Sequence, residues 1–198
     1  MSKHIPNIIT LIRIAMLPAM ITLFLLNFQL IAISIFIVAA LTDFLDGFIA
    51  RKWNLVTDLG KLLDPIADKM LFYSGLVLVA LSGALPDWAI ATVFFVMLLR
   101  DFAVDCMRML AGAKGIVVAA NVWGKIKTIV SLIAIPWLMF AALYNESMVQ
   151  PEGELLLSIG YPLTDFINIT GYCLIGLATL LCAISGIIYF IQNRKVFK

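Results

Sequence analysis

Six long apolar segments, separated by short polar connections, set the pattern of this chain. They cover about Ile8–Leu26, Leu30–Ala50, Lys61–Ser82, Pro86–Leu110, Val122–Tyr144 and Phe166–Ile191. Each is close to the ~20 residues that a helix needs to cross ~30 Å of hydrocarbon. None shows the alternation of apolar and polar residues that the strands of a membrane barrel require. The pattern therefore predicts an all-α integral membrane protein with six transmembrane helices.

Composition supports the same class of protein. Of the 198 residues, 63% are hydrophobic and 13% are charged, whereas a soluble domain is nearer ~45–50% apolar and ~25% charged. The formal net charge is only +2, which gives no electrostatic support to nucleic-acid binding. No linker or clear internal repeat divides the sequence. We therefore expect residues 1–198 to form a single six-helix membrane domain.

Lysine and arginine fall on one side of this arrangement. With the N-terminus inside, the outer connections Asn27–Gln29, Gly83–Asp87 and Asn145–Asp165 contain neither residue type. Positive residues concentrate in the cytoplasmic segments of membrane proteins, so both termini are predicted to be cytoplasmic. The third connection contains "GELLLSIGY", which is too short to cross and fits a short helix on the outer surface.

Carboxylates gather where the second predicted helix ends and the third begins, in "DFLDGFIARKWNLVTDLGKLLDPIAD" (residues 43–68). At 3.6 residues per turn, two groups each share one helical face: Asp43, Asp46, Gly47, Ala50 and Arg51 on the second helix, and Gly60, Asp64 and Asp68 on the third. Because a short loop joins these helices, the two faces can point at each other. Ionisable groups within a membrane span normally face a bundle interior or a wet cavity.

A divalent cation is the natural partner of these carboxylates. Four like charges cannot all stay ionised without neutralisation, and hard cations with oxygen ligands supply it, Mg²⁺ first and Mn²⁺ or Ca²⁺ as alternatives. Two ions would balance Asp43, Asp46, Asp64 and Asp68. A pair of metal ions is a known arrangement in phosphoryl chemistry.

Neighbouring residues allow two interpretations of the same stretch. Gly47 and Gly60 leave room for a nucleotide or a diphosphate to approach the backbone. In a purely structural interpretation, Asp64 instead caps the third helix and Pro65 takes its first position, with Thr57 or Asp58 as other candidate caps. Capping accounts for one aspartate but explains little about four on two facing surfaces.

The stretch resembles the signature of the CDP-alcohol phosphotransferase family, Asp-x2-Asp-Gly-x2-Ala-Arg-x8-Gly-x3-Asp-x3-Asp, at all eight fixed positions. The resemblance implies the six-helix fold of that family and a homodimer. It also implies that the four aspartates hold two divalent metal ions and that Asp68 is the general base. The segment "PNIITLIR" resembles a family segment that closes the nucleotide pocket. The expected contacts of the CDP moiety are Asn7, Thr10, Gly47, Ala50, Arg51, Thr57 and Gly60.

A second charged stretch, "RDFAVDCMRMLAGAKGIVVAANVWGKIKT" (residues 100–128), resembles bacterial family members that make phosphatidylglycerophosphate. Arginine can bind a phosphate through two hydrogen bonds, and lysine provides a point charge. The residues predicted to bind the acceptor phosphate are Arg108, Lys125 and Lys127. In the alternative interpretation, Arg108 pairs with Asp101 or Asp105 and the lysines are anchors at the membrane surface. For Arg100 we expect an internal pair with an aspartate of the fourth helix.

These features predict transfer of the phosphatidyl group of CDP-diacylglycerol to glycerol 3-phosphate, at the cytoplasmic face of a bacterial inner membrane. A single displacement is expected, because no serine or cysteine has an adjacent histidine base. Serine, inositol phosphate or phosphatidylglycerol as the acceptor would keep the same fold and chemistry. A divalent-cation transporter is the alternative from another class, although such sites usually lie at the membrane midplane between internal repeats.

Overall fold

The computed structural model describes residues 5–52, 58–115, 122–147 and 162–194. Its helices are α1 (Ile5–Leu25), α2 (Gln29–Lys52), α3 (Asp58–Leu81), α4 (Asp87–Ala113), α5 (Val122–Ser147) and α6 (Leu163–Gln192). Within these described ranges there is no strand, and the predicted all-α class with six helices is confirmed. Each helix end lies within about three residues of its predicted position, because polar and turn-forming residues interrupt the apolar runs.

Residues with left-handed backbone conformation follow three of the helices. Asn27 (φ 65°) comes after α1, Gly83 (φ 67°) after α3 and Gly115 (φ 68°) after α4. Glycine adopts this conformation without a steric penalty and asparagine tolerates it. After α1, the backbone N–H of Phe28 donates to the carbonyl of Leu23 at 2.9 Å. This bond satisfies a carbonyl that the end of the helix would otherwise leave open.

The third helix begins earlier than the capping interpretation of Asp64 requires. Asp58 is its first residue and Pro65 lies inside it, so Asp64 falls about two turns into α3 and does not cap it. The capping interpretation of Asp64 is therefore wrong, and its carboxylate has another role. Thr57, another candidate cap, lies outside the described residues.

The chain forms two compact units. The first comprises Met1–Ala84 and Met139–Gly153; in its described part, α1 packs against α2 and α3, which also contact each other. The second comprises Leu85–Leu138 and Glu154–Lys198, and there α4 packs against α6. Each unit has its own buried side chains, such as Met20 and Phe36 in the first and Met97 and Met107 in the second. The single six-helix domain stays a prediction.

Large apolar side chains also cover the outside of the helices, among them Leu30, Phe95 and Leu180, as expected where lipid replaces water. Within the described part of the chain, three helical segments can cross a membrane by length and composition: Asn7–Leu25, Val122–Ser147 and Leu163–Gln192. The protein is therefore a membrane protein. Membrane crossing by α2, α3 and α4 and the cytoplasmic position of both termini stay predictions. The predicted surface helix, at residues 153–161, lies outside the described residues.

Candidate active site

A buried polar face on α1 is the starting point of the site. Asn7, Thr10 and Arg13 are 7%, 0% and 1% exposed, although α1 is otherwise strongly apolar. Their spacing of three residues keeps them on one side of the helix. Asn7 and Thr10 are predicted nucleotide contacts, whereas Arg13 was not among the predicted site residues.

The polar face of α1 contacts carboxylates from both neighbouring helices. Arg13 Nη1 donates to Asp43 Oδ1 of α2 and, at 3.4 Å, to Asp68 Oδ1 of α3. Thr10 Oγ1 donates to Asp64 Oδ1 of α3 at 3.1 Å. We call Asp43, Asp64 and Asp68 the acid cluster. The structure therefore places three of the four predicted metal ligands along the polar face of α1, where Thr10 and Arg13 contact them.

The order of these contacts gives the direction of the helices. Moving from Thr10 to Arg13 along α1 corresponds to moving from Asp64 to Asp68 along α3. Residue numbers therefore increase in the same direction along both helices at this contact, so α1 and α3 run parallel. This direction agrees with the predicted alternation of spans, in which the first and third cross the same way.

The remaining residues predicted for this site are only partly described. Gly60 is a buried residue of α3. Because it has no side chain, a ligand or a neighbouring helix can approach its backbone closely. Four predicted residues belong to α2, but their side chains lie outside the described part: Asp46, Gly47, Ala50 and Arg51. Thr57 lies outside the described residues altogether. Their assigned roles stay predictions.

The donor chemistry of the acid cluster suits a hard divalent cation. Among the side chains that the structure describes, no three His, Cys, Asp or Glu residues are gathered closely enough to ligate one metal ion. However, the side chains of Asp43 and Asp68 are 33% and 52% exposed, so part of each carboxylate is accessible. Carboxylate oxygens that remain accessible are the ligands that Mg²⁺ and Mn²⁺ prefer. The oxygen donors therefore match the chemistry of such an ion, and metal binding itself stays a prediction.

In the second unit, Asp101 of α4 lies between two cations. It accepts hydrogen bonds from Arg100 Nη1 at 2.9 Å and from Lys127 Nζ at 3.1 and 3.2 Å. The expected pairing of Arg100 with an aspartate of the fourth helix is confirmed. Lys127 is only 5% exposed, so its interpretation as a membrane-surface anchor is wrong. A lysine buried at this depth needs a carboxylate partner to stay charged.

Small residues make room for the guanidinium of Arg100. Its Nη2 donates to Ser185 Oγ of α6 at 2.6 Å. A Cβ at Gly124 would lie 3.0 Å from Nη2, and a Cβ at Gly186 would lie 3.0 Å from Cγ of the same arginine. Because a side chain at either position would crowd Arg100, glycine permits this close approach.

Arg108, the predicted phosphate ligand that lies on α4, has an aromatic partner. Its Nε donates to the Tyr189 hydroxyl at 3.1 Å, and its Cζ lies 5.6 Å from the centre of the Tyr189 ring. Tyr189 is 1% exposed, whereas Arg108 is exposed. The partner of Arg108 is therefore a tyrosine of α6 rather than Asp101 or Asp105. Lys125, the remaining predicted ligand, is exposed on α5.

Comparison with known proteins identifies the family. The sequence profile of the CDP-alcohol phosphatidyltransferase family matches residues 3–164. The chain belongs to the CDP-alcohol phosphatidyltransferase family. The aspartate signature at residues 43–68 thus identified the family correctly. Membership in a family of transferases also removes the support for a cation transporter.

Curated relatives named CDP-diacylglycerol–glycerol-3-phosphate 3-phosphatidyltransferase match most of the chain. The protein from Bacillus subtilis (strain 168) is 33% identical, over 98% of this chain and 97% of the relative. The protein from Rickettsia felis is 31% identical, over 98% of both chains. The protein from Salmonella typhimurium is 34% identical, over 71% of this chain and 79% of the relative.

Sequence reasoning missed two residues that the structure places in contact with predicted site residues, one in each unit. Arg13 belongs to the quoted segment "PNIITLIR", and a signal was present: it follows Thr10 by three residues, and an arginine inside an apolar span needs a buried partner. Tyr189 gave no such signal, because a tyrosine within an apolar helix is also an ordinary packing residue. Only the structure connects it with Arg108, 81 residues earlier in the chain.

We predict that Asp101→Asn lowers the thermal stability of the protein. The change leaves Arg100 and Lys127 without their shared carboxylate. Breaking a buried pair costs about 3–5 kcal/mol, which corresponds to a melting temperature lower by roughly 6 °C or more for a chain of this size. Differential scanning fluorimetry on detergent-purified protein measures the shift. Asp87→Asn, at an exposed position of the same helix, is the control and should shift it by less than about 2 °C.

Proposed function

We propose that this protein transfers the phosphatidyl group of CDP-diacylglycerol to glycerol 3-phosphate, giving phosphatidylglycerophosphate and CMP. The observation that carries the proposal is the match, across nearly the full length of both chains, to relatives named for this activity. The signature aspartates support the nucleotide-dependent half of the reaction. The cations of α4 and α5 support the use of a phosphorylated acceptor.

The aspartates are proposed to bind the diphosphate end of the donor through a divalent metal. Asp43, Asp46, Asp64 and Asp68 would hold Mg²⁺ or Mn²⁺, with two ions proposed from the number of carboxylates. When bound, the metal supplies positive charge that neutralises the diphosphate oxygens and the leaving CMP. Around it, the chain would hold the CDP moiety with Asn7, Thr10, Gly47, Ala50, Arg51, Thr57 and Gly60.

Arg108, Lys125 and Lys127 are proposed to bind the phosphate of glycerol 3-phosphate. Arg108 is the strongest candidate, because its Nε is held by Tyr189 while the side chain remains exposed. The two terminal nitrogens of a guanidinium held in this way can bind two phosphate oxygens. Lys127 is held by Asp101, so it would contribute a fixed charge rather than a mobile one.

Asp68 is proposed to take the proton from the primary hydroxyl of glycerol 3-phosphate. The hydroxyl oxygen then forms a bond to the β-phosphorus of CDP-diacylglycerol. The bond between that phosphorus and the bridging oxygen breaks, and CMP leaves with the electron pair. The half-exposed carboxylate of Asp68 is accessible to an acceptor.

The proposal includes the location of the reaction. Lysine and arginine mark the side of the membrane that holds residues 43–68, which would be the cytoplasmic side of a bacterial inner membrane. There, water-soluble glycerol 3-phosphate and CMP could enter and leave while the acyl chains stay in lipid. We also propose that the protein is a homodimer, as the family resemblance implies; size-exclusion chromatography with light scattering in detergent tests this point.

An acceptor panel tests the proposed activity directly. Purified protein is incubated with radiolabelled CDP-diacylglycerol and, separately, glycerol 3-phosphate, serine, inositol phosphate or phosphatidylglycerol, with Mg²⁺ or with EDTA. We expect labelled phosphatidylglycerophosphate with glycerol 3-phosphate and Mg²⁺, and little product elsewhere. A lipid product formed preferentially from another acceptor would contradict the proposed substrate.

Asp64→Asn tests the metal assignment. Asparagine keeps the shape and can still accept the hydrogen bond from Thr10, so the variant isolates the loss of negative charge. We expect Mg²⁺-dependent turnover to fall by about 100-fold or more, while membrane insertion is unchanged. Asp165→Asn, at an exposed position in the first turn of α6, is the control. Near-normal turnover of Asp64→Asn would remove Asp64 from the metal site.

Arg108→Ala tests the acceptor site. Charged hydrogen bonds contribute about 1.5–3 kcal/mol each, so the KM for glycerol 3-phosphate should rise roughly 10-fold or more, with a much smaller change in the KM for CDP-diacylglycerol. Arg194→Ala, near the end of α6, is the control and should change neither constant. An unaltered acceptor KM in Arg108→Ala would exclude Arg108 from the acceptor site.

A milder variant tests how Arg108 is oriented. Tyr189→Phe keeps the ring beside the guanidinium and removes the hydroxyl that accepts its Nε–H. Loss of one such bond should raise the KM for glycerol 3-phosphate by roughly 2- to 10-fold, with kcat nearly unchanged. Tyr172→Phe, on an exposed position of the same helix, is the matched control. If Tyr189→Phe leaves the acceptor KM unchanged, the tyrosine does not orient Arg108 for binding.

A further inference from the structure

Arg13 has an unusual position for a charged side chain. It is 1% exposed and lies within Asn7–Leu25, a segment long and apolar enough to cross a membrane. An arginine at such depth is costly unless opposite charges accompany it. A residue kept there despite this cost has a role that depends on its partners.

Those partners are two members of the acid cluster. One nitrogen of the guanidinium, Nη1, contacts both Asp43 Oδ1 and Asp68 Oδ1. The third member, Asp64, accepts instead from the neutral hydroxyl of Thr10. The charge of Arg13 is thus directed at the carboxylates of two different helices, α2 and α3.

A divalent cation bound by the same carboxylates would lie close to this guanidinium. The two positive charges would repel each other at a distance of a few Å. Both would also interact with the carboxylate oxygens of the same two aspartates. Metal binding and the ion pairs of Arg13 therefore oppose each other, and each can take the place of the other in neutralising Asp43 and Asp68.

We propose that Arg13 is a positioning residue of the acid cluster, which holds Asp43 and Asp68 together when no metal is bound and competes with the divalent cation for them. The inference rests on the proposed function, because it takes these aspartates as the metal ligands. It assigns Arg13 a role that differs from a plain ion pair between helices. A plain pair would stabilise the protein equally with and without metal.

Metal dependence of stability distinguishes the two roles. Arg13→Met keeps the length and apolar stem of the side chain and removes its charge. The melting temperature of detergent-purified wild type and variant is measured in EDTA and in saturating Mg²⁺. In EDTA, the variant should melt at least about 5 °C below wild type. In Mg²⁺ the deficit should shrink to less than about half, because the ion neutralises the carboxylates that Arg13 has left.

Two further proteins complete the experiment. Arg194→Met removes an exposed arginine near the end of α6 and should show no deficit in either condition. Arg13→Lys keeps the charge on a head group that cannot contact two carboxylates as a guanidinium does. It should show a smaller deficit in EDTA that again shrinks in Mg²⁺, and it decides the question if Arg13→Met does not fold.

A deficit that stays the same or grows in Mg²⁺ would overturn the proposal and leave Arg13 as a structural ion pair. Transferase activity of the wild type, assayed in the same preparation, separates this result from a failure of the proposed function. Active wild type with a metal-independent deficit overturns the role of Arg13 alone. Inactive wild type overturns the proposed activity, while the response of the deficit to Mg²⁺ still decides the role of Arg13.

Discussion

The burial of one guanidinium governs how the first three helices fit together. Arg13 lies inside an apolar helix and is neutralised by Asp43 of α2 and Asp68 of α3. Removing one partner of a buried charge pair is strongly destabilising, so packings that separate these residues are disfavoured. The same register places Thr10 against Asp64. The requirement to neutralise Arg13 therefore also assembles the carboxylates on which the proposed chemistry depends.

In the second unit the charges of the buried pairs are reversed. Here one carboxylate, Asp101, accepts from two cations, Arg100 and Lys127. The surrounding residues are small or hydroxylated: Ser185 accepts from Arg100, and Gly186 leaves space for its stem. Polar groups in an apolar environment must be hydrogen-bonded to be tolerated. The cations of this unit are consequently held in fixed positions, as a binding site for an anion requires.

How much could be predicted from the sequence differs between helices and contacts. The helix limits came within about three residues, because long apolar runs and polar interruptions are properties of the chain itself. The aspartates of the site were also evident from their spacing. The pairing of Arg13 with Asp43 and Asp68, or of Arg108 with Tyr189, depends on the rotation and register of separate helices. Residues 30 to 81 positions apart meet in these pairs, and no local pattern encodes that distance. The capping interpretation of Asp64 was wrong because it placed the helix start from Pro65 alone. The helix begins six residues before Asp64, at Asp58, and Pro65 lies inside it.

The balance of charge gives each unit a different binding preference. In the contacts of the first unit, three carboxylates stand against one guanidinium, which leaves two formal negative charges (3 − 1 = 2). In the described contacts of the second unit, three cations, Arg100, Arg108 and Lys127, stand against one carboxylate, Asp101, which leaves two formal positive charges (3 − 1 = 2). Excess charge of one sign near apolar helices is stabilised when an ion of the other sign binds. These charges are compatible with a divalent cation in the first unit and a phosphate dianion in the second, the two ligands on which the proposed transfer depends.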